Sequence, residues 1–320
     1  MFFNQSEQVG YVRNCQRDSH AIKFYESWTG DGPGGAYFGA IQSVDGTLLT
    51  LAAAADLTHN IVGDVVVFTN GKGAGQLGRV AFANSTTQIT LEQPLTIDVD
   101  PTDARVSIVA YRGDIILGGN LFEEGSVVED YGMQMKSVWA HNTLKDMTII
   151  PQQTNDGPGG LNLHGRVYQG GVEPAYFNEI LYNRLINCTG GITTITTTST
   201  TFSGPYIRAL VVKHNIIQQQ GGISLTTNVS DSVIEHNQFD TPNLPFSKTL
   251  VISAGADHYI ATNNLANVTG LATPSNYSRP CAYVPAPPPP SSSSSSATRT
   301  LSALLSSFWW IRPLFVEYEN

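Results

Sequence analysis

At 320 residues the chain is long enough to bury a substantial core, and its net charge of −9 argues against a nucleic-acid partner, which Lys and Arg would have to hold. Charged residues are only 13 % and glycine counts 30, a flat and neutral composition that suits an extended β architecture. Three cysteines, Cys15, Cys188 and Cys281, are too few for a disulfide scaffold; with no CxxC pair and no zinc spacing, no cofactor is implied.

In chain order, MFFNQSEQVG lacks the basic start and long apolar stretch of a signal peptide. The segment QVGYVRN, ending at Asn14, reads as the end of a coil, so the sequence is expected to begin inside a longer one. Residues 1–59 are taken as this N-terminal coil remnant and the loop SWTGDGPGGAYFG. Residues 60–112 read as alternating strands, GDVVVFT, GRVAFAN, TQITLEQPL and ARVSIVAYR, joined by turns such as NGKGAG. They predict a small inserted antiparallel β module. GKGAGQ is a hairpin turn and not a phosphate loop, because the Lys-Ser/Thr pair and the helix are missing. The acidic run DVDPTD (98–103) is the one candidate for calcium, against an ordinary turn.

From about 113 to 272 a short pattern recurs around Asn120, Asn142, Asn183, Asn215, Asn237 and Asn263. Three residues before these stand Leu117, Trp139, Ile180, Val212, Ile234 and Ile260; two after stand Phe122, Leu144, Leu185, Ile217, Phe239 and Leu265. The intervals are 22, 41, 32, 22 and 26 residues, the sign of a stacked solenoid with insertions. Leucine-rich repeats share the Asn but want Leu five residues earlier, where this chain has Ile115, Ser137, Asn178, Leu210, Ser232 and His258. The coils are rich in strand and turn formers. Asn tolerates a left-handed bend, and stacked amides can bond from coil to coil. The longest interval holds a second DGPGG (156–160) opening a protruding loop.

Residues 273–300 form a Pro/Ser-rich linker containing PAPPPPSSSSSS. The tail 301–320 has an apolar run, interrupted by Arg312 and Pro313, that is too short to span a bilayer. Its role as cap, interfacial segment or unrelated tail stays open. Five N-x-S/T sequons, at Asn84, Asn187, Asn228, Asn267 and Asn276, are compatible with secretion.

The Asn-centred repeat, with glycine pairs before Ile192 and Ile223, resembles the right-handed parallel β-helix of the pectate-lyase-like and phage tail-spike-like family. GKGAGQLGR (71–79) with the strands after it resembles an insertion found in some of these proteins. The expected fold is therefore all-β, a right-handed parallel β-helix solenoid carrying a small antiparallel β module. The resemblance implies an extracellular or cell-surface protein acting on a polysaccharide, either a lyase or a hydrolase. The alternative is a non-enzymatic adhesin, spike or glycan-binding matrix protein, since one fold hosts many functions.

Stacking turns sequence positions into columns with a spacing of about 4.8 Å. The column just before the repeated Asn holds Gly119, His141, Tyr182, His214, His236 and Thr262. One step earlier Lys213 lies under Glu235. Lys213 or His214 as base, with Arg208 and His236 beside them, would suit the β-elimination that the resemblance implies. Two carboxylates roughly 5–9.5 Å apart would suit hydrolysis instead, with Glu235 and Asp231, or Glu129 and Asp130, as candidates. The plainer alternatives are His side chains that only bond along the stack, an exposed Lys213–Glu235 ion pair and a solvated turn at Glu129–Asp130. Trp28, Tyr37, His141, Tyr168 and Tyr182 are the candidate sugar-binding residues.

Overall fold

The computed structural model describes residues 2–3, 22–24, 35–125, 127–130, 133–147, 159–168, 171–196, 205–242, 249–252 and 258–261. Each coil of the solenoid visits four parallel sheets in turn. A short sheet holds Arg112–Gly113, Gln134–Met135, Ala175–Tyr176, Ile207–Arg208 and Val229–Ser230. The next, before the repeated Asn, runs from Ile116–Gly118 through Val138–Ala140, Glu179–Leu181, Val211–Lys213 and Ser232–Glu235 to His258–Ala261. The third follows the Asn, from Leu121–Glu123 to Gln238–Asp240. The fourth and longest contains Val127–Asp130, Gly160–Tyr168, Gly191–Thr196, Gly222–Leu225 and Leu250–Ile252.

The register is the one the repeat demands. Leu117, Trp139, Ile180, Val212 and Ile234 are successive partners, as are Phe122, Leu144, Leu185, Ile217 and Phe239. All ten are buried in a single core. Burying each such side chain stabilises the fold by about 1.5–3 kcal/mol, which is why one apolar residue on each side of the corner suffices for a three-residue strand. Ile260, Asn263 and Leu265 of the sixth repeat carry no side-chain description, lying at or beyond the limit of the described residues.

The repeated Asn holds the corner between the second and third sheets. Asn215 Oδ1 accepts from Asn183 N and Nδ2 (2.9 and 3.0 Å), while its Nδ2 donates to Ile180 O and Asn237 Oδ1 (both 2.9 Å). The same bonds join Asn120 to Asn142 and Asn142 to Asn183. The inner amides, Asn142, Asn183 and Asn215, thereby meet their full side-chain bonding capacity inside the protein, which no apolar residue can do. The residue before it turns the chain with a left-handed φ: 71° at Gly119, 56° at His141, 55° at Tyr182, 56° at His214 and 56° at His236.

Glycine is required at another corner. Gly160, Gly191 and Gly222 stack in register, and a Cβ on Gly191 would stand 2.1 Å from the Gly222 carbonyl oxygen. The coils pack backbone to backbone there, and no side chain fits.

The antiparallel module is a closed barrel and starts earlier than residue 60. Its strands are Tyr37–Asp45, Leu48–Leu51, Val65–Asn70, Leu77–Ala83, Gln88–Leu91 and Arg105–Val109. The YFG run, placed by sequence in an N-terminal loop, is the first barrel strand, pairing with the last through Tyr37↔Ile108 and Phe38↔Ser107. Closure decides this, because the sheet needs both outer strands to leave no open edge. Ile41, Leu49, Leu51, Val66, Phe68, Val80, Ile89, Leu91, Val106 and Ile108 fill its interior. Val65, Val67 and Val109 on its outside pack against Met133, Met135 and Tyr176 of the solenoid.

The protruding loop expected at 156–174 is, among its described residues, largely strand. Gly160–Tyr168 joins the long sheet and then folds back as a hairpin on Gly171–Glu173. Val172 of this hairpin packs with Tyr206 and with Phe38 of the barrel.

Candidate functional site

The left-handed corner before each Asn points its side chain away from the core. His141, Tyr182, His214 and His236 therefore form one exposed row. Their rings stack with centroids 5.1, 4.7 and 5.0 Å apart and planes within 5° of parallel. Tyr182 is 49 % exposed. Because each inner ring covers its neighbours' faces, the row offers mainly edges to solvent. Those edges carry imidazole nitrogens and a phenolic hydroxyl. Tyr182 separates His141 from the His214–His236 pair.

Beside the row, Lys213 and Glu235 are register partners with Nζ 2.6 Å from Oε1. Both side chains are partly buried, so the pair is firmer than a fully solvated one. The candidate base is thus engaged by a carboxylate from the next coil. On the other side of the corner Arg184 donates to Gln218 Oε1 (2.8 Å).

Arg208 and Asp231 do not join this group. Arg208 Nε lies 3.3 Å from Asp231 Oδ2, and its Nη1 donates to Ala74 O in the barrel's glycine turn (3.4 Å). The turn GKGAGQ is thus the barrel's docking point on the short sheet, and Arg208 belongs to that seam. Tyr37 is also set apart from any sugar cleft: it is a buried barrel residue whose hydroxyl donates to Ala40 O. Trp28 lies outside the described residues, as do most of both DGPGG loops; Tyr168 is described only as strand backbone. In the run DVDPTD, Asp100 Oδ1 accepts from Thr102 N and Oγ1, closing a turn.

Glu129 and Asp130 are not a solvated turn. They sit on the long sheet, both fully buried. Alternation along a strand sends them to opposite faces. Asp130 points inward and accepts from Trp139 Nε1 (2.7 Å), and burial pushes its carboxyl up to about 7. Glu129 points outward, 3.1 Å from His164 Nε2 and beside its buried register partner Asn162. Facing opposite ways, the two carboxylates cannot flank one glycosidic bond. His164 and Glu173 had no signal in the sequence, because the hairpin that buries them breaks the repeat. Among the described residues no group of three or more His, Cys, Asp or Glu is placed to hold a metal ion, and no helix is long and apolar enough to cross a membrane.

Four parallel sheets closed by a regular corner define a parallel β-helix. In structure the chain is similar to the tailspike protein gp49 from Pseudomonas phage LKA1 (TM-score 0.29, 13 % identity, covering 76 % of this chain and 44 % of that one). It is also similar to the Pseudomonas phage phi297 tailspike gp61 (TM-score 0.27, 11 % identity, 79 % and 61 % covered). The chain therefore spans less than two thirds of either protein. No family model and no curated protein matches the sequence.

Proposed function

We propose that this chain is a glycan-binding β-helix protein that works outside the cell and holds an extended polysaccharide lengthwise along the wall around His141, Tyr182, His214 and His236. The observation that carries this reading is the stacked row itself. It places polar ring edges at a constant step near 5 Å along four coils. An extended hexose chain advances by a comparable step, so one site geometry repeats with the ligand. Lys213, Glu235 and Arg184 flank the row with further hydrogen-bonding groups.

The enzymatic readings gain less support. A lyase would need Lys213 free to take a proton, whereas it is paired with Glu235. A hydrolase would need two carboxylates facing one bond. Asp231 is turned to Arg208, and Glu129 and Asp130 face apart.

The test is a glycan array with the full chain, followed by affinity measurement for the wild type and the His214→Ala/Tyr182→Ala variant on the best ligand. Weakening by about tenfold or more is expected. Unchanged affinity in a folded variant would sink the reading of this wall. Release of reducing ends, or of an unsaturated product absorbing in the ultraviolet, would return weight to the enzyme.

A further inference from the structure

We infer that the barrel carries a separate docking groove, which takes one bulky apolar side chain from a basic segment of a partner protein. The groove is not part of the wall of stacked rings and does not rest on the glycan-binding reading.

A half-open cavity of about 320 Å³ lies between the turn joining the first two barrel strands and the loop 92–104 joining the last two. Val44, Pro94, Leu95, Ile97 and Val99 line it, together with Gly46 and Asp98. Small-ligand pockets run from about 300 to 1,000 Å³, so this one has room for a single large side chain. No aromatic ring is among the described residues lining it, so a sugar finds no face to stack on.

Val44, Leu95 and Val99 are partly buried against the barrel interior, whereas Ile97 is 50 % exposed. A lone exposed isoleucine is ordinary; this one is held in place beside the cavity. Gln76 Oε1 accepts from Ile97 N (2.8 Å) and Thr96 Oγ1 (3.1 Å), and Gln76 Nε2 donates to Ile97 O (2.8 Å). One side-chain amide thus stands in for a neighbouring strand. The far end of the loop is closed by Asp100, whose Oδ1 accepts from Thr102 N and whose backbone O accepts from Ala104 N. The glycine turn that carries Gln76 packs closely on the loop, since a Cβ on Gly73 would stand 2.8 Å from Val99 Cγ2. A groove fixed in this way loses little conformational freedom when it is filled.

Charge selects the occupant. The strands and turn at 37–51, the loop 92–104 and the glycine turn 71–76 carry Asp45, Glu92, Asp98, Asp100 and Asp103, all exposed, against Lys72 alone. An apolar floor with a negative surround repels acidic segments and favours Lys and Arg on either side of the anchor. An apolar anchor in a pocket, ringed by polar contacts, is the usual division of labour at a protein interface.

The probe is a blocked pentapeptide, Arg-Lys-Trp-Lys-Arg, titrated into the full chain and read from methyl NMR signals. Saturable shifts at Val44, Leu95, Ile97 and Val99 are expected. The peptides Arg-Lys-Gly-Lys-Arg and Glu-Glu-Trp-Glu-Glu should each bind about tenfold more weakly or worse. Salt raised from about 0.05 to 0.5 M should weaken the basic peptide. Ile97→Ser removes the apolar wall and leaves the backbone bonds to Gln76; Asp98→Lys reverses one charge of the lining. Each should weaken binding about fivefold or more, and Asp98→Lys should also lessen the salt dependence. Gln76→Leu should weaken it as well, by releasing the loop, while the Ile89 signal of the barrel interior keeps its place. Absence of shifts at the four residues overturns the inference, as does equal binding of the Gly or Glu peptide. Unchanged affinity in both Ile97→Ser and Asp98→Lys overturns it too. Shifts of the same methyls by cellopentaose and not by the peptide would give the groove to a glycan and overturn the choice of partner.

Discussion

The solenoid is built mostly from strands of two to four residues and the barrel from strands of four to nine, and the two keep their order in different ways. In the solenoid each position is repeated by the coil above, so a polar amide such as Asn215 can be buried because the same amide waits on either side. In the barrel each interior residue occurs once, and the strand ends meet by closure, so its interior is purely apolar jigsaw packing around Phe68 and Ile89. Repetition makes buried polar groups safe; closure makes an edge-free sheet possible without repetition.

The sharpest way to break this contrast is to interrupt the amide run. Asn215→Leu leaves Asn183 N–H and Nδ2, Ile180 O and Asn237 Oδ1 short of partners in the core. A loss of about 3–5 kcal/mol is expected, read by denaturant unfolding; unchanged stability would remove the structural role of the amides. Phe68→Ala in the barrel should cost about 3–4 kcal/mol through a cavity. Hydrogen exchange should show the loss concentrated in the barrel, with the solenoid amides protected. Equal loosening of both regions would mean that the seam at Met133, Met135 and Tyr176 couples them into one cooperative unit.

Burial raises one carboxyl in each region, Asp130 in the solenoid to about 7 and the partly buried Asp64, just before a barrel strand, to about 6. A carboxyl raised in the fold favours its protonated form, so its contribution is complete below the ordinary value of 3.8 and is lost as pH climbs through the folded value. Stability should therefore decline from about pH 4 to about pH 7, by on the order of 1–3 kcal/mol for Asp130. Asp130→Asn should flatten most of that slope, and Asp64→Asn the remainder; a slope untouched by Asp130→Asn refutes its assignment. The smallest effect is at Lys213→Ala. Its ion pair is partly solvated, and a loss below about 1 kcal/mol is expected in the same unfolding assay. A larger loss would show that this wall contributes to coil stacking as well as to binding.

The sequence by itself determined the solenoid. Twelve apolar positions and six amides fell into columns because stacking maps a repeat in sequence onto a line in space, and ten of those positions, from Leu117 to Phe239, are buried register partners in the structure. The ring row at His141, Tyr182, His214 and His236 was legible for the same reason, one residue before each Asn. The barrel's true start at Tyr37, the seam that takes Arg208 away from the wall, and the burial of Glu129 with His164 were decided only in three dimensions. Each depends on a contact between segments that share no period: a strand closing a barrel, a turn docking on a sheet, a hairpin folding over one. Contacts of that kind are set by shape and by which edge must be covered, and a single chain's pattern carries no trace of them.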